Sequence, residues 1–265
     1  MYWNEEFQKD VKALTRQDEQ GTIIQSGIAL GASSNIERYT DILSLLMMQN
    51  GTDMLDEGGG AAFNRVPRGG SRDYAPGAEA VRFYTDFANP IKEVYTWNKS
   101  MPNSLEAFVE GKLAMFLGYS YHMPMIKTRA PRLNFGISKM LQIEGNPQEI
   151  NFANYWVETA SVKSEYTQEA WDFILYAAKE ENVQSYLNKA KKPTALRSLV
   201  DMQSADPDLE VFASQALTAT NWYRGKDYNA AEVIIGEMID EVLSDPEKIT
   251  KAMNSAASKV QQTIR

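Results

Sequence analysis

Five consecutive residues, Gly118-Tyr119-Ser120-Tyr121-His122, hold the densest potential chemistry in this sequence. They follow a short apolar run and contain G-x-S-x, the start of the turn that lifts a nucleophilic serine off a strand end. The fifth position is His122, where such a turn needs a small residue. His122 is also the one histidine of the chain and lies two residues from Ser120, an awkward spacing for a nucleophile and its base. A strand end displaying aromatic side chains is the better reading. Gly58-Gly59-Gly60 lacks the G-K-[ST] ending of a phosphate loop. Arg65, Arg68 and Arg72, around Gly69-Gly70, read as a solvated basic loop in an acidic chain. Among 35 acidic residues, Glu158 is the one carboxylate singled out inside a candidate strand, which leaves a pair for glycoside hydrolysis open.

Aromatic residues with polar neighbours form the clearer pattern. Tyr119 and Tyr121 follow a strand candidate, Asn154-Tyr155-Trp156 opens another, and Asn221-Trp222-Tyr223-Arg224 lies in a connection. Aromatic faces flanked by hydrogen-bonding groups suit a ligand that is apolar on its faces and polar at its edges, as a sugar ring is. Such aromatics also fill cores near strand ends, so the grouping into three clusters is what favours a cleft.

Composition narrows the alternatives. With 27 basic and 35 acidic residues the formal charge is −8, a poor balance for gripping phosphate backbones, so nucleic acid is not an expected partner. There is no cysteine, which removes disulfides, thiolate nucleophiles and Cys-ligated metals. One histidine permits no two-His metal site, and no cofactor motif is present. The start, Met1-Tyr2-Trp3-Asn4-Glu5-Glu6, has neither the basic nor the apolar region of a signal peptide. No apolar run approaches the roughly 18 residues of a membrane span.

The elements that must position these groups are read from periodicity. Trp3, Phe7, Val11 and Leu14 fall at helical spacing, followed by β-like runs at Thr22–Ile24 and Gly27–Leu30. Ser33-Ser34-Asn35 is read as the cap of a helix carrying Ile36, Leu43, Leu46 and Met47, and residues 51–76 as a long loop with room for a small hairpin. Ala80, Phe83, Tyr84 and Phe87 mark another helix. Asn103-Ser104-Leu105-Glu106 opens a short helix that Gly111 closes, and Leu113–Leu117 is a buried-strand candidate. Leu133–Ile137 and Phe152–Ala160 are further strand candidates, with helices over about 167–179 and 182–190. Capping signals at Asp206-Pro207, Asn229-Ala230-Ala231-Glu232 and Ser244-Asp245-Pro246-Glu247 open the closing helices. The pattern is mixed α/β.

Several stretches then look familiar together. Trp3-Asn4-Glu5-Glu6-Phe7 with Leu14-Thr15, Gly27-Ile28-Ala29-Leu30, Asp41–Leu46 with Gln49-Asn50-Gly51, Ala107–Met115 and Trp171-Asp172-Phe173-Ile174 resemble, in order and spacing, the extracellular solute-binding proteins of ABC transporters. The similar group is family 1, the sugar-binding branch that includes maltose-binding protein. The resemblance implies a type II periplasmic-binding-protein fold, two lobes joined by a hinge and closing over a ligand. Residues 1–140 and about 206–265 would build the C-terminal lobe, and about 141–205 would cross the hinge and contribute part of the other. Family members begin with a signal and the first strands of the N-terminal lobe. This sequence starts at a helix inside the pattern, which implies one incomplete lobe and a missing anchor.

By the same resemblance, Tyr121 stands where many relatives carry a stacking Trp, with Tyr119 beside it, and Tyr155 and Trp156 match the aromatic at the crossover strand. Arg38 and Thr40 match ligand-reaching positions and Trp222 borders the cleft, while Asn35 and Asn154 would join Arg38 in bonding hydroxyls. The implied role is non-enzymatic capture of an oligosaccharide for ABC permease subunits, outside the cell or in the periplasm. The alternatives are a glycan-acting hydrolase, a binder of a peptide or polyamine, and a module that binds only a protein.

Overall fold

The structure, a computed structural model, describes residues 2–67 and 75–264. Along the chain run α1 (Glu5–Leu14), β1 (Arg16–Gln17), β2 (Ile23–Ile28), α2 (Tyr39–Gln49), α3 (Pro76–Asp86), α4 (Ser104–Val109), β3 (Leu113–Met115) and α5 (His122–Arg129). They are followed by β4 (Asn151–Phe152), α6 (Thr167–Ala177), α7 (Glu180–Ala190), α8 (Val200–Gln203), α9 (Glu210–Gln215), β5 (Ala219–Thr220), α10 (Tyr228–Ser244) and α11 (Ile249–Ile264).

Local chemistry sets the first of these. Asn4 caps α1 by accepting the Phe7 N–H at 3.1 Å, while Glu5 and Glu6 at the start and Lys12 near the end complement the helix dipole. The face carrying Phe7 and Val11 is buried against β2. Gly27 permits that approach, since any Cβ there would lie 2.4 Å from the Val11 carbonyl oxygen. β2 pairs antiparallel with β1 and parallel with β3, in the register Ser26 to Leu113 and Ile28 to Met115. A parallel neighbour needs a long crossover, which the segment from α2 to α4 supplies.

At the other end of this region α10 packs along α11. Ile235, Met238, Ile239 and Val242 face Ile249, Met253, Ala256 and Val260 within one core, which also takes in Tyr84, Phe87 and Trp97. Each such large apolar side chain contributes about 1.5–3 kcal/mol when fully buried.

The chain divides into two units. The first contains Met1–Phe135, Met140–Phe152 and Trp222–Arg265; the second contains Gly136–Lys139 and Ala153–Asn221. In the second, Ala153 donates its N–H to the Thr220 carbonyl at 2.8 Å, and Asn221 Nδ2 donates to the Ala153 carbonyl at 3.0 Å. Its interior is small, built on Leu187, Leu199, Leu209 and Ala213. The amide of Gln203 is tied to Thr194 N and the Lys192 carbonyl. Helix α6 buries none of its residues, and Phe173 and Leu175 stay exposed.

The structure departs from sequence expectation at several ends. Helix α2 does not begin at Ser33-Ser34-Asn35 but at Tyr39, after Arg38 in the left-handed region at φ 58° and ψ 31°. Ser33 instead donates to Asp240 Oδ1 at 2.8 Å. Leu133–Ile137 alternates half-buried and exposed as a strand would, yet it pairs with no strand, and of Phe152–Ala160 only Phe152 belongs to one. Alternation describes a surface; a strand also needs a partner edge to satisfy its backbone. Asp227, not Asn229, caps α10 by accepting the Ala230 N–H at 2.9 Å. Asp206 accepts the Asp208 N–H in a turn before α9, which begins at Glu210. The small hairpin expected in the long loop is a single antiparallel bridge between Leu55 and Ala61.

Candidate functional site

Asp41 is the centre of the polar cluster in the first unit. It stands in the first turn of α2, where the helix N-terminus favours a carboxylate, with its side chain 3% exposed. Its Oδ2 accepts from Arg38 Nε and Nη2, both at 2.8 Å, and from the Tyr119 hydroxyl at 2.7 Å. Its Oδ1 accepts from the Tyr228 hydroxyl at 2.5 Å. These donors come from the entry to α2, the loop after β3 and the start of α10. Charge-assisted bonds of this kind are short and about twice as strong as neutral ones.

The electrostatics follow from burial around one carboxylate. Burial alone would lower the Arg38 guanidinium, and the adjacent charge and hydrogen bond of Asp41 outweigh it, so its pKa is raised. Burial, reinforced by Asp41, pushes the Tyr119 and Tyr228 phenols well above their usual range, which keeps both as donors. Glu232 is raised by burial, with Asp41 and Glu37 adding to the effect and Arg38 opposing it.

An aromatic stack lies beside this cluster. The Tyr119 and Tyr121 rings are 5.8 Å apart at 19°, and Tyr121 covers His122 with centroids 4.1 Å apart. Tyr121 is 45% exposed, so part of its ring is open. His122 is buried, and its Nδ1 accepts the backbone N–H of Tyr119 at 2.9 Å. That nitrogen is thereby committed to the turn and is not a base for Ser120. Burial pushes the imidazole below its usual value, with the Glu37 charge opposing.

The expected site residues separate into groups. Arg38, Tyr119 and Tyr121 come together as described. Asn35 is bound into the frame: its Nδ2 donates to the carbonyls of Asn98 and Met101, and its Oδ1 accepts the Trp97 indole N–H at 3.0 Å. Thr40 is buried in α2. Trp222 is a core residue rather than an open platform, 6% exposed, donating to Ser44 Oγ at 2.9 Å and meeting Phe63 edge-on at 6.1 Å. Asn154, Tyr155 and Trp156 lie exposed in the second unit, the last at 95%, on a segment that forms no helix or strand. Glu158 is exposed on the same segment.

The glycine-rich loop closes on itself. Asp56 Oδ1 accepts the N–H groups of Gly58 and Gly60, and Oδ2 pairs with Arg65 at 3.0 Å. These bonds, that of Gly60 first, hold the Asp56 carboxyl below its usual range. Arg68, Arg72, Gly69 and Gly70 lie outside the described residues. No group of three potential metal ligands occurs among the described residues, and no described helix is long and apolar enough to cross a membrane.

Sequence reading missed Asp41 and Tyr228 as members of the cluster. The available signal was local: Arg38 and Asp41 are spaced for a side-chain pair, but nothing local points from α2 to a tyrosine near the far end of the chain.

The sequence model of the bacterial extracellular solute-binding proteins matches residues 4–213, and the chain belongs to that family. Among solved structures it is similar to an ABC transporter solute-binding protein from Thermotoga lettingae bound with α-D-tagatose, at 15% identity and TM-score 0.68, covering 100% of this chain and 64% of that one. It is likewise similar to a maltotriose-binding protein from Thermus thermophilus, at 16% identity and TM-score 0.64, covering 100% of this chain and 66% of that one. A maltose/maltodextrin-binding domain from Bdellovibrio bacteriovorus bound to maltotriose gives 16% identity and TM-score 0.68, covering 99% of this chain and 66% of that one. At these identities the likeness is one of fold, the α/β type II periplasmic-binding-protein fold. The chain therefore spans a little under two thirds of these structures' lengths. No curated protein sequence matches the chain.

Proposed function

We propose that this chain captures a neutral oligosaccharide for an ABC importer, and that it does so without catalysing a reaction on it. The observation that carries this reading is the half-open Tyr121 ring stacked beside the Tyr119–Asp41–Arg38 cluster, in a member of a solute-binding family. Tyr121 offers an apolar face, and Arg38 offers donors at its edge. The single cation of that pair is matched by a single buried anion, so an uncharged ligand with hydroxyls suits it better than an acid. Tyr155 and Trp156 supply a further exposed stacking surface, with Asn154 as its polar neighbour. Asn35, Thr40 and Trp222 act as frame.

The implied partners are the solute and ABC permease subunits, and the implied place is outside the cytoplasmic membrane. Calorimetric titration with maltotriose, mannobiose, amino acids, polyamines and short peptides tests the reading. Saturable binding of an oligosaccharide is expected. Binding confined to an amino acid, polyamine or peptide overturns the sugar assignment, and release of chromophore from chromogenic glycosides overturns the absence of catalysis.

A further inference from the structure

A carboxylate 3% exposed is costly to bury unless hydrogen bonds replace its water, and Asp41 accepts them from donors in three separate parts of the first unit. Two of its partners, Arg38 and Tyr119, are groups proposed above to meet the ligand. Arg38 is one of only two non-glycine residues with positive φ among the described residues, a conformation that strains any side chain with a Cβ. From that strained position its Nε and Nη2 both reach the same Asp41 oxygen, which leaves Nη1 outside the pair.

We propose that Asp41 is a positioning and charge-selecting residue of the ligand site. It holds the Arg38 guanidinium and the Tyr119 ring in one arrangement before the ligand arrives, so neither has to be ordered on binding. By pairing with the Arg38 cation it also makes the pair net-neutral while Nη1 remains a donor, which selects uncharged sugars over acidic ones of similar size. This inference rests on the sugar-binding reading and assigns the site its charge preference.

The test compares the wild-type chain, Asp41→Asn, and Asp41→Asn with Arg38→Gln, the last leaving no unpaired buried charge. Two measurements are made on each. Without ligand, the Arg38 Nε–H signal in ¹⁵N-resolved NMR should exchange slowly in the wild type and become fast in Asp41→Asn while amide dispersion is retained. With ligand, Asp41→Asn should bind maltotriose about tenfold more weakly and trigalacturonate more tightly, and the double variant should lose that gain for the acid. A merely structural role would weaken both sugars alike. An Arg38 signal that stays protected in Asp41→Asn, or a maltotriose-to-trigalacturonate ratio that does not move, overturns the proposal. If no form binds either sugar while the Arg38 signal behaves as expected, the positioning stands and the sugar-binding reading falls. Should Asp41→Asn not fold, the double variant decides: if Asp41 cancels the Arg38 charge, removing both leaves the affinity ratio near that of the wild type, and a ratio that shifts overturns the assignment.

Discussion

The Tyr228 hydroxyl donates to Asp41 Oδ1 at 2.5 Å, although the two residues lie 187 positions apart. This bond ties the start of α10 to the start of α2 and adds a donor to a buried carboxylate. Its energetic weight exceeds that of a surface contact, because an unpaired lone pair on that carboxylate has no water to turn to.

Replacing Tyr228 with Phe removes that donor and leaves Arg38 and Tyr119 in place. The expected cost is about 1.5–3 kcal/mol, the range for a hydrogen bond to a charged group. Urea denaturation with an unchanged m-value should show it as a lower midpoint. A midpoint equal to wild type would mean the carboxylate does not depend on this donor.

Arg38 supplies a comparison between backbone and side chain. Both Arg38→Ala and Arg38→Gly strip Asp41 of its cation and should destabilise the fold. Glycine alone tolerates φ 58° without strain, so the Gly variant should be more stable than the Ala variant by about 1 kcal/mol. Equal stabilities would show that the left-handed conformation relaxes when the guanidinium is gone.

His122 predicts a pH dependence. Its folded pKa is depressed, chiefly by burial, so between that value and the usual one near 6.5 the unfolded chain binds a proton that the folded chain does not. Stability therefore rises with pH through this window and levels off above about 6.5. Glu232, whose pKa is raised, contributes a slope of opposite sign above its usual value near 4.5. His122→Asn removes the titration while placing an acceptor oxygen near the former Nδ1, and should flatten the rise just below pH 6.5. A slope that survives in this variant would assign the effect elsewhere.

Trp156 and Trp222 differ sharply in exposure, at 95% and 6%. Acrylamide should quench a component of the tryptophan emission that disappears in Trp156→Phe and persists in Trp222→Phe. The second variant should instead lose stability, because it gives up the Ser44 bond and the edge contact with Phe63. Quenching lost only in Trp222→Phe would reverse the assignments of core and surface.

What the sequence by itself determined was local or periodic. The face of α1, the Asn103 cap of α4 and the stripes on α10 and α11 were legible because each depends on residues a few positions apart, whereas the strand expected over Leu113–Leu117 ends at Met115 with only Leu113 buried. The order of short motifs was enough to suggest the solute-binding family. Tertiary structure decided everything that depends on partners distant in sequence. The 133–137 and 153–160 segments carry strand-like residues, but pairing rather than composition makes a strand. Trp222 has the same ring as Trp156, and only the core around Ser44 and Phe63 made it a frame residue. Asp41 looked like one more acid in an acidic chain. Folding brings Arg38, Tyr119 and Tyr228 to it, because a carboxylate taken out of water must gather donors wherever the chain can deliver them.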